Sequence, residues 1–397
     1  MNWEELKSKP LFIPRVSDYN FNYYAGTIPA ILMNANTVAQ KSKVVVVAKE
    51  KSDIFIIDPI THALDYPIAA AKPTFRSLPY GTINLSRVAS DPTYRLNELI
   101  NASILWQRDS CSDVIIAPYI LISDLNSSLS LNSTILAETI LNMKHEKIAR
   151  PLIAMICVNS HFLCDIKSVD YIIDRYLDEK VIKEVDSFII TSDGLDDRSS
   201  DEDTLRGLAY LVYRLSQEKN VFVNSIGGFG EALLAIGATG FISKLAEGEV
   251  FSTKNLEKEI KGSVGRNHHE LTYVPEFCDY LNVQTLKKIG YSCSCIGCNN
   301  TSLDVPKRKK IHFLVQRIER TALLAKVPAK NRVEYMINFY DKSIKDIKSL
   351  RSSKALLMNY QHIQKWKNIL EDSQNWGVID DQEELESIYT ELKALKR

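Results

Sequence analysis

The chain has 397 residues, of which 45% are hydrophobic and 25% are charged, and its formal net charge is zero. This composition excludes a wholly disordered chain and allows one large domain with an appendage. No uninterrupted apolar stretch reaches the roughly 18 residues of a membrane-spanning helix, and the opening MNWEELKSKP lacks a secretory signal pattern. We therefore expect a cytoplasmic protein that has no membrane partner.

Eight short apolar runs carry the secondary-structure signal, and helical patterns separate most of them. The runs are 28–33, 44–47, 54–57, 114–117, 152–158, 187–191, 221–225 and 240–243. Continuous apolar runs are typical of parallel strands that are buried on both faces. They predict an α/β fold, namely a (β/α)₈ TIM-like barrel over residues 1–265, with an open doubly wound sheet as the alternative. The short gap after run 44–47 predicts a hairpin or turn there.

Polar residues follow several of these runs, at the strand ends where barrel active sites gather. Acidic and histidine side chains there are candidates for acid–base chemistry, while amides and glycines are candidates for holding a substrate. The candidate catalytic residues are Asp58, His161 and Asp193, and the candidate substrate-binding residues are Asn159, Asn224, Gly227 and Gly228. The alternative for the acidic and glycine residues is turn formation or helix capping.

The strongest motif is a cysteine cluster in residues 266–305, which we expect to form a metal-binding segment. Cys293, Cys295 and Cys298 are spaced so that their thiolates can converge on one ion, and Zn²⁺ is the usual ion for such sulfur-rich sites. Free thiols are the alternative. His312 is the preferred fourth ligand, and its rivals are Cys278, His268 and His269.

Residues 306–397 form a helical, basic region. Helical patterns span 309–325, 329–350, 354–370 and 382–396, with a break at Pro328. Between residues 305 and 370 there are sixteen Lys or Arg but only four acids. Such a segment predicts a polyanionic partner, namely tRNA or DNA, although solvated helix faces are an equal alternative. A partner protein or a homodimer also stays open.

The Cys-x-Cys-x₂-Cys pattern behind a barrel resembles the zinc motif of the tRNA-guanine transglycosylase superfamily, which includes queuine and archaeosine tRNA-ribosyltransferases and DNA-modifying relatives. Four further stretches resemble the same family: 52–58, which ends at a conserved aspartate, then 112–117, 221–241 and 273–276. The resemblance spans roughly residues 28 to 320. It implies a zinc-stabilised barrel that exchanges guanine for a 7-deazaguanine through a covalent aspartyl intermediate.

The chain departs from the family at the catalytic positions. Ile242 and Ser243 follow Phe241, where the family has its nucleophilic aspartate, and Pro59 follows Asp58 in place of a Ser-Gly-Gly turn. Isoleucine cannot form a glycosyl ester, so the sequence predicts a divergent member without the covalent mechanism. The alternatives are a non-catalytic adaptor subunit of a nucleic-acid-modification or defence complex, and an unrelated barrel enzyme acting on a small molecule.

Overall fold

The computed structural model describes residues 2–91, 95–245, 250–258, 271–298, 306–354 and 358–376, and its centre is a parallel eight-stranded barrel. The predicted fold class is confirmed. The strands are β1 Leu11–Arg15, β2 Ile28–Asn34, β3 Ser52–Asp58, β4 Ile115–Ile116, β5 Leu152–Asn159, β6 Ser187–Asp193, β7 Asn220–Asn224 and β8 Gly240–Lys244. Their order around the sheet is β3-β2-β1-β8-β7-β6-β5-β4, which brings the two ends of the sheet together.

The seam between β3 and β4 is closed by side chains as well as backbone. The Asp113 N–H donates to the carbonyl of Phe55 at 2.8 Å, and the Phe55 N–H donates to the Asp113 carboxylate at 2.6 Å. The Ile57 N–H donates to Ser112 Oγ at 3.1 Å. These bonds satisfy the edge groups of β3 that a short β4 leaves uncovered, so the sheet is a nearly closed barrel and not an open doubly wound sheet.

Helices follow or flank most strands. They are α1 Trp3–Lys7, α2 Ala35–Gln40, α3 Ser42–Lys51, α4 Pro67–Ala70, α5 Pro73–Arg76, α6 Leu85–Ser90, α7 Leu96–Asp109, α8 Ser127–His145, α9 Ile166–Tyr176, α10 Glu179–Ile182, α11 Glu202–Ser216, α12 Phe229–Ala235, α13 Val283–Ile289, α14 Pro306–Lys326, α15 Arg332–Lys354 and α16 Gln361–Ser373. Short 3₁₀ helices span Tyr19–Tyr23, Thr61–Asp65, Ser160–Cys164, Thr253–Asn255, Pro275–Phe277 and Ala329–Asn331. An antiparallel hairpin, β9 Leu271–Val274 and β10 Asp279–Asn282, lies outside the barrel.

Within the barrel, one predicted strand is wrong and one real strand was missed. Residues 44–47 lie in helix α3, which is the crossover that two adjacent parallel strands, β2 and β3, require. The predicted hairpin or turn before β3 is therefore also wrong. The missed strand is β1, which pairs with both β2 and β8 although it contains Pro14. Proline is unusual within a paired strand, so the local pattern concealed this element.

The barrel interior is a packed apolar core, so a ligand can act only at its ends. α1 closes the amino-terminal end: the Trp3 ring lies 5.6 Å from that of Phe222, and its indole N–H donates to the Asp186 carboxylate at 2.7 Å. The strand residues that fill the interior are Leu11, Ile13, Ala30, Leu32, Ile54, Ile56, Ile116, Ile153, Met155, Cys157, Ile189, Phe222 and Ile242. The carboxyl-terminal end, called the mouth below, is therefore the end left for chemistry.

Three of the predicted C-terminal helices are present as α14, α15 and α16, and they pack on one another and on the barrel. The break at Pro328 is confirmed, because α14 ends at Lys326 and α15 begins at Arg332. The predicted helix 382–396 lies outside the described residues. Among the helices of the described ranges, none is both long and apolar enough to cross a bilayer. The domain boundaries at residues 265 and 305 stay predictions.

Candidate metal centre and barrel mouth

Four side chains from two separate segments converge behind the barrel. Cys293, Cys295 and Cys298 lie in the loop that follows α13, and His312 lies in the second turn of α14. Their possible ligand atoms all lie within 4.8 Å of one another. His312 and Cys298 are fully buried, so the centre of the cluster is closed to solvent. The four residues could hold a metal ion, as predicted from the cysteine spacing.

The distances within this cluster suit a small tetrahedral ion. Cys295 Sγ lies 3.4 Å from Cys298 Sγ, and His312 Nδ1 lies 3.5 Å and 3.2 Å from these two sulfurs. Zinc–sulfur bonds of about 2.3 Å and zinc–nitrogen bonds of about 2.0 Å, arranged tetrahedrally, give ligand separations of roughly 3.5 to 3.8 Å. The described residues therefore fit a closed four-ligand site, the kind in which zinc has a structural role.

The histidine is oriented by a partner on its other nitrogen. His312 Nε2 lies 2.8 Å from the carbonyl oxygen of Tyr273 in β9, so Nε2 carries the proton and donates it to that oxygen. Nδ1 then presents its lone pair to the three sulfurs. A backbone carbonyl in this position is the usual support of a metal-ligating histidine. The hairpin β9–β10 thereby joins the metal cluster to the rest of the fold.

The pKa shifts of the thiols show that the cysteines of this cluster interact strongly with one another. The hydrogen bond with Cys298, followed by those from His312 and Cys293, lowers the pKa of the Cys295 thiol to about 3. The same bond to Cys295 raises the pKa of Cys298, because a second adjacent thiolate is repelled by the first. Three thiolates can share so small a volume only if a cation compensates them. The four donors could therefore hold a metal ion.

Of the rivals for the fourth ligand, Cys278 is not in the cluster. Cys278 is buried elsewhere, where its thiol lies 3.7 Å from the carbonyl of Pro275, and burial raises its pKa to about 12. Such a thiol stays protonated and inert. His268 and His269 lie outside the described residues. Gln316, one turn of α14 beyond His312, places its amide nitrogen 3.8 Å from Cys293 Sγ and supports the cluster from outside.

The second candidate site is the barrel mouth. Every strand except β4 ends in a polar residue, in chain order Arg15, Asn34, Asp58, Asn159, Asp193, Asn224 and Lys244. These residues follow the apolar interior directly and surround the carboxyl-terminal end of the barrel. Parallel strands with polar ends form the binding face of barrels of this type. The mouth therefore gathers all the strand-end residues predicted from the sequence.

Asp58 is the most deeply buried acid of the mouth. One carboxylate oxygen accepts hydrogen bonds from the Ile60 N–H at 2.8 Å and from the Tyr119 hydroxyl at 2.9 Å. Burial raises the pKa of Asp58, while these bonds and the nearby charge of Arg15 oppose the rise. A buried carboxyl with a raised pKa can take part in proton transfer, and its oxygens can hold the edge of a polar ring. Its neighbour Tyr119 follows β4, where the resembled family has an acid.

The turn after Asp58 is strained and firmly held. Ile60 adopts a left-handed conformation with φ of 47°, which is rare for a β-branched residue. Tyr80 donates its hydroxyl to the carbonyl of Pro59 at 2.9 Å. Thr61 Oγ1 donates to the carbonyl of Tyr119 at 2.6 Å and accepts from its N–H at 2.7 Å. Strain that is over-determined in this way is characteristic of functional turns.

The strained turn places the side chain of His62 at the mouth of the barrel. The His62 ring stacks on Tyr119 at 5.1 Å and meets the edge of Phe251 at 5.2 Å. Burial lowers the pKa of His62 to about 3, so its imidazole is neutral at physiological pH. Within the described part of the chain, His62 Nδ1 has no hydrogen-bond partner, although it is buried. His62 is not among the candidate site residues predicted from the sequence.

Two further buried polar atoms near the strand ends share this property. Asn34 Oδ1 and Thr191 Oγ1 likewise find no partner among the described residues. Asn34 pairs with Asp58 across β2 and β3, and Thr191 pairs with Asn224 across β6 and β7. Buried polar atoms are nearly always paired, and exceptions mark places for water or a ligand. Nothing in the sequence distinguishes these two residues, because Asn and Thr are common within strands and directly after them.

Asn159 and His161 form a pair on the outer rim. His161 Nδ1 lies 2.7 Å from Asn159 Oδ1, and the His161 ring is exposed. Asp193, in contrast, already holds part of the chain: its carboxylate accepts the Thr253 N–H and hydroxyl, each at 2.7 Å. The Gly194 N–H donates to the carbonyl of Phe251 at 2.9 Å. Segment 250–258 is therefore fastened to the mouth through β6.

Backbone N–H groups in the glycine-containing turn after β7 bind a carboxylate of the protein itself. The Gly228 and Phe229 N–H groups at the start of α12 donate to one oxygen of Asp197, at 2.6 and 3.3 Å. A Cβ on Gly227 would lie 2.6 Å from that oxygen. These N–H groups thus face Asp197, in agreement with the turn and cap alternative. Asn224 contacts Arg15, whose Nη1 lies 3.4 Å from its amide oxygen.

The two residues at the family's nucleophile position point in opposite directions. Ile242 is buried in the barrel interior, and Ser243, the next residue of β8, lies on the helix-facing side by strand alternation. Ser243 Oγ donates to the carbonyl of Lys244 at 3.2 Å. Neither side chain offers an activated nucleophile to the mouth.

The chain matches no protein-family model, and no curated protein is significantly similar to it in sequence.

Proposed function

We propose that this chain is a divergent tRNA-guanine transglycosylase-like protein that binds or modifies guanine or 7-deazaguanine in tRNA or DNA. The observation that carries the proposal is the Cys₃His cluster fastened to the back of a (β/α)₈ barrel. That combination is the one the family resemblance implies. The protein would act in the cytoplasm, where the thiol ligands stay reduced.

The ion of the cluster is proposed to be Zn²⁺ in a structural role. Cys293, Cys295, Cys298 and His312 would supply four ligands and leave no open position for substrate. The ion would join the loop after α13 to α14. The hydrogen bond from His312 to the carbonyl of Tyr273 would extend this link to β9. Metal-binding energy at such a site is also folding energy.

Elemental analysis of the purified protein tests the metal. We expect about one zinc per chain in the wild type, and loss of that zinc in the Cys295→Ser and His312→Ala variants. Cys278→Ser is the matched control, because this buried thiol lies outside the cluster. Wild-type protein with no metal and freely reactive thiols at Cys293, Cys295 and Cys298 would contradict the zinc assignment.

In the mouth, Asp58 would be the essential acid–base or base-recognition group. The Tyr119 hydroxyl and the Ile60 N–H orient its carboxylate, and burial raises its pKa, which would suit a group that exchanges a proton with a ligand. The neutral imidazole of His62 and its unpartnered Nδ1 would bind the edge of the same ligand. His161 and Asp193 stay candidates for assisting groups at the rim, together with Asn159 and Asn224.

The substitution of isoleucine at the nucleophile position favours a second candidate, a non-catalytic adaptor that binds nucleic acid without exchanging a base. Ile242 lies in the interior of the barrel and Ser243 faces away from the mouth, so neither offers a nucleophile there. Incubation with tRNA and 7-deazaguanine, followed by denaturing electrophoresis, tests this. We expect no denaturation-resistant adduct. An adduct would show that another residue serves as nucleophile, whereas base exchange without an adduct would exclude the adaptor.

Nucleic-acid affinity separates these two candidates from an unrelated small-molecule enzyme. We expect binding of tRNA or DNA at low salt, with the logarithm of affinity falling by roughly 0.7 to 0.9 per phosphate for each tenfold rise in salt. Immeasurable affinity for both polymers at low salt would overturn the proposal and favour a partner protein or a small-molecule substrate.

A further inference from the structure

The tertiary structure divides the basic segment into internal and external charges. Several cations bind groups of the protein itself. Arg317 and Arg320 bind Glu231, Lys310 binds Asp18, Arg332 binds the carbonyl of Val327, Lys365 binds the carbonyls of Arg198 and Ser200, and Lys367 binds Asp341 and Glu371. Lys309 is buried. These seven residues, of the sixteen Lys and Arg between 305 and 370, are therefore engaged or buried within the protein and are not free to form a phosphate-binding surface.

The external cations concentrate on the second half of α15. Lys342, Lys345, Lys348 and Arg351 are all exposed and follow one another at intervals of three residues. Residues three apart are neighbours on a helix surface, so the four form one ridge of about 14 Å. We call these four residues the α15 ridge. Tyr340, Ile344 and Ile347 bury one face of this helix, and Lys342 and Lys345 point away from that face. The row turns around the helix as it advances, so Arg351, one turn beyond Ile347, lies over the end of the buried face and is still exposed.

Acidic neighbours only partly offset the ridge. Asp341 shares Lys367 of α16 with Glu371, at 2.7 and 3.3 Å, so its charge is compensated only in part. Asp346 is half-buried and is the other acid within this part of α15. The ridge therefore keeps a positive excess at its surface. Such a surface attracts phosphate groups without reading a base sequence.

The ridge ends at an aromatic ring and a groove. The Lys348 ammonium lies 5.1 Å and the Arg351 guanidinium 5.6 Å from the centre of the Tyr360 ring. A groove of about 280 Å³ opens here, lined by Arg351, Met358, Asn359, Tyr360 and Gln361. The lining offers an aromatic ring, a guanidinium and two amides. These groups stack on unpaired bases and hydrogen-bond to their edges.

We infer that the α15 ridge and the Tyr360 groove together bind single-stranded nucleic acid, such as the unpaired loop of an RNA. The phosphates would lie along Lys342, Lys345, Lys348 and Arg351, and one unpaired base would enter the groove beside Tyr360. A duplex would satisfy the charges but leave the groove empty, because its bases are stacked on each other. This inference rests on the proposed nucleic-acid function and adds the surface and the single-stranded form of the partner.

Fluorescence anisotropy with the full chain, a labelled twelve-nucleotide single strand and the corresponding duplex tests the surface across a salt series. The main variant is Lys345→Glu with Lys348→Glu. The control is Lys180→Glu with Lys183→Glu, which makes the same change of net charge at exposed residues near α10. We expect the ridge variant to bind at least about tenfold more weakly, with a salt slope smaller by roughly 1.4 for the single strand. The control should bind like the wild type.

Two variants of Tyr360 test the groove. Tyr360→Ala should weaken single-strand binding by roughly five- to 150-fold and leave duplex binding nearly unchanged, because only the unpaired base stacks on the ring. Tyr360→Phe keeps the stacking surface and should bind like the wild type. The zinc content of every variant should match that of the wild type. The ridge residues are exposed, so the ridge variant should also keep the melting temperature of the wild type. Tyr360 is half-buried against the core, so the melting temperature of Tyr360→Ala is compared with that of Tyr360→Phe to separate lost stability from lost stacking.

The outcomes distinguish the inference from the function on which it rests. Wild-type protein that binds neither polymer at low salt overturns both. Binding by the wild type with equal losses in the ridge and control variants leaves the proposed function standing and overturns the ridge. If the ridge variant loses equal affinity for duplex and single strand, and Tyr360→Ala binds both like the wild type, the preference for single-stranded nucleic acid is overturned. Displacement by an acidic peptide at equal charge would identify a protein partner and overturn the inference.

Discussion

Glu231→Gln tests the most consequential internal contact, the buried carboxylate that joins α12 to α14, the helix that carries His312. Its two oxygens lie 2.5 Å from Arg317 Nη1 and 2.5 Å from Arg320 Nη2. The Glu231 side chain is 4% exposed and that of Arg317 is 1% exposed. The glutamine keeps the shape but leaves two guanidinium charges without their counter-charge, and breaking a buried pair in this way costs about 3 to 5 kcal/mol.

The expected melting shift follows from the size of the protein. An unfolding entropy of about 2.1 cal/mol/K per residue, over the 397 residues of the chain, gives roughly 0.8 kcal/mol/K. A loss of about 3 to 5 kcal/mol then lowers the melting temperature by roughly 4 to 6 °C. Differential scanning calorimetry of wild type and variant, at pH 7 and with zinc present, measures it.

Glu184→Gln is the matched control for this variant. Glu184 pairs with Lys144 at 2.6 Å, nearly the same distance, but the two side chains are 42% and 58% exposed. An exposed pair contributes at most about 1 kcal/mol, so the control should melt within roughly 1 °C of the wild type. Equal shifts in the two variants would refute the argument that burial makes the Glu231 contacts important.

The same contacts predict a pH dependence. Burial raises the pKa of Glu231, but the charges of Arg320 and Arg317 outweigh it, and the pKa lies below its ordinary value of 4.5. A carboxyl with a depressed folded-state pKa stabilises the fold above its ordinary value, and this contribution is lost as the pH falls through the depressed one. The difference in stability between wild type and Glu231→Gln should therefore narrow below pH 4.5.

Three further outcomes are expected. Cys298→Ser should abolish bound metal by elemental analysis and lower the melting temperature, and a variant that keeps full zinc would contradict its role as a ligand. Gly227→Ala should destabilise more than Gly290→Ala in chemical denaturation: both glycines have positive φ, but a Cβ on Gly227 meets Asp197 Oδ2 at 2.6 Å whereas one on Gly290 meets nothing within 4 Å. Asp58→Asn keeps an oxygen acceptor and removes a buried charge, so the variant should be no less stable than the wild type at pH 7. The rate of any reaction that the protein catalyses should fall by about 10²- to 10⁴-fold. Full activity would exclude Asp58 as the acid–base group.

The barrel could be predicted because its strands are buried on both faces, which leaves continuous apolar runs in the sequence. The two errors have one cause. Run 44–47 is as rich in β-branched residues as any strand, and β1 contains a proline, so local preference favours the wrong state in both places. Strand pairing determines the state of each segment. β2 and β3 are adjacent and parallel, so the connection between them must contain a helix, and β1 fills the gap between β2 and β8.

The candidate sites divide in the same way. Three of the metal ligands lie within six residues, from Cys293 to Cys298, so their spacing alone indicated the cluster. The sequence favoured His312 as the fourth ligand but left its rivals open, because the contact with Tyr273 that orients His312 exists only in the folded chain. The role of His62 could not be predicted, because an unpartnered buried nitrogen is a property of its surroundings.

The sequence by itself determined the properties that depend on neighbours along the chain: the apolar strands, the cysteine turn, the polar strand ends and the basic excess near the C-terminus. The tertiary structure alone decided which charges face water. Arg317 and Lys345 are equivalent cations in the sequence, but Arg317 is neutralised inside the fold by Glu231, 86 positions away, and Lys345 is left on the surface. A charge acts on a partner only where the protein has not already compensated it, and that compensation comes from residues distant in the chain.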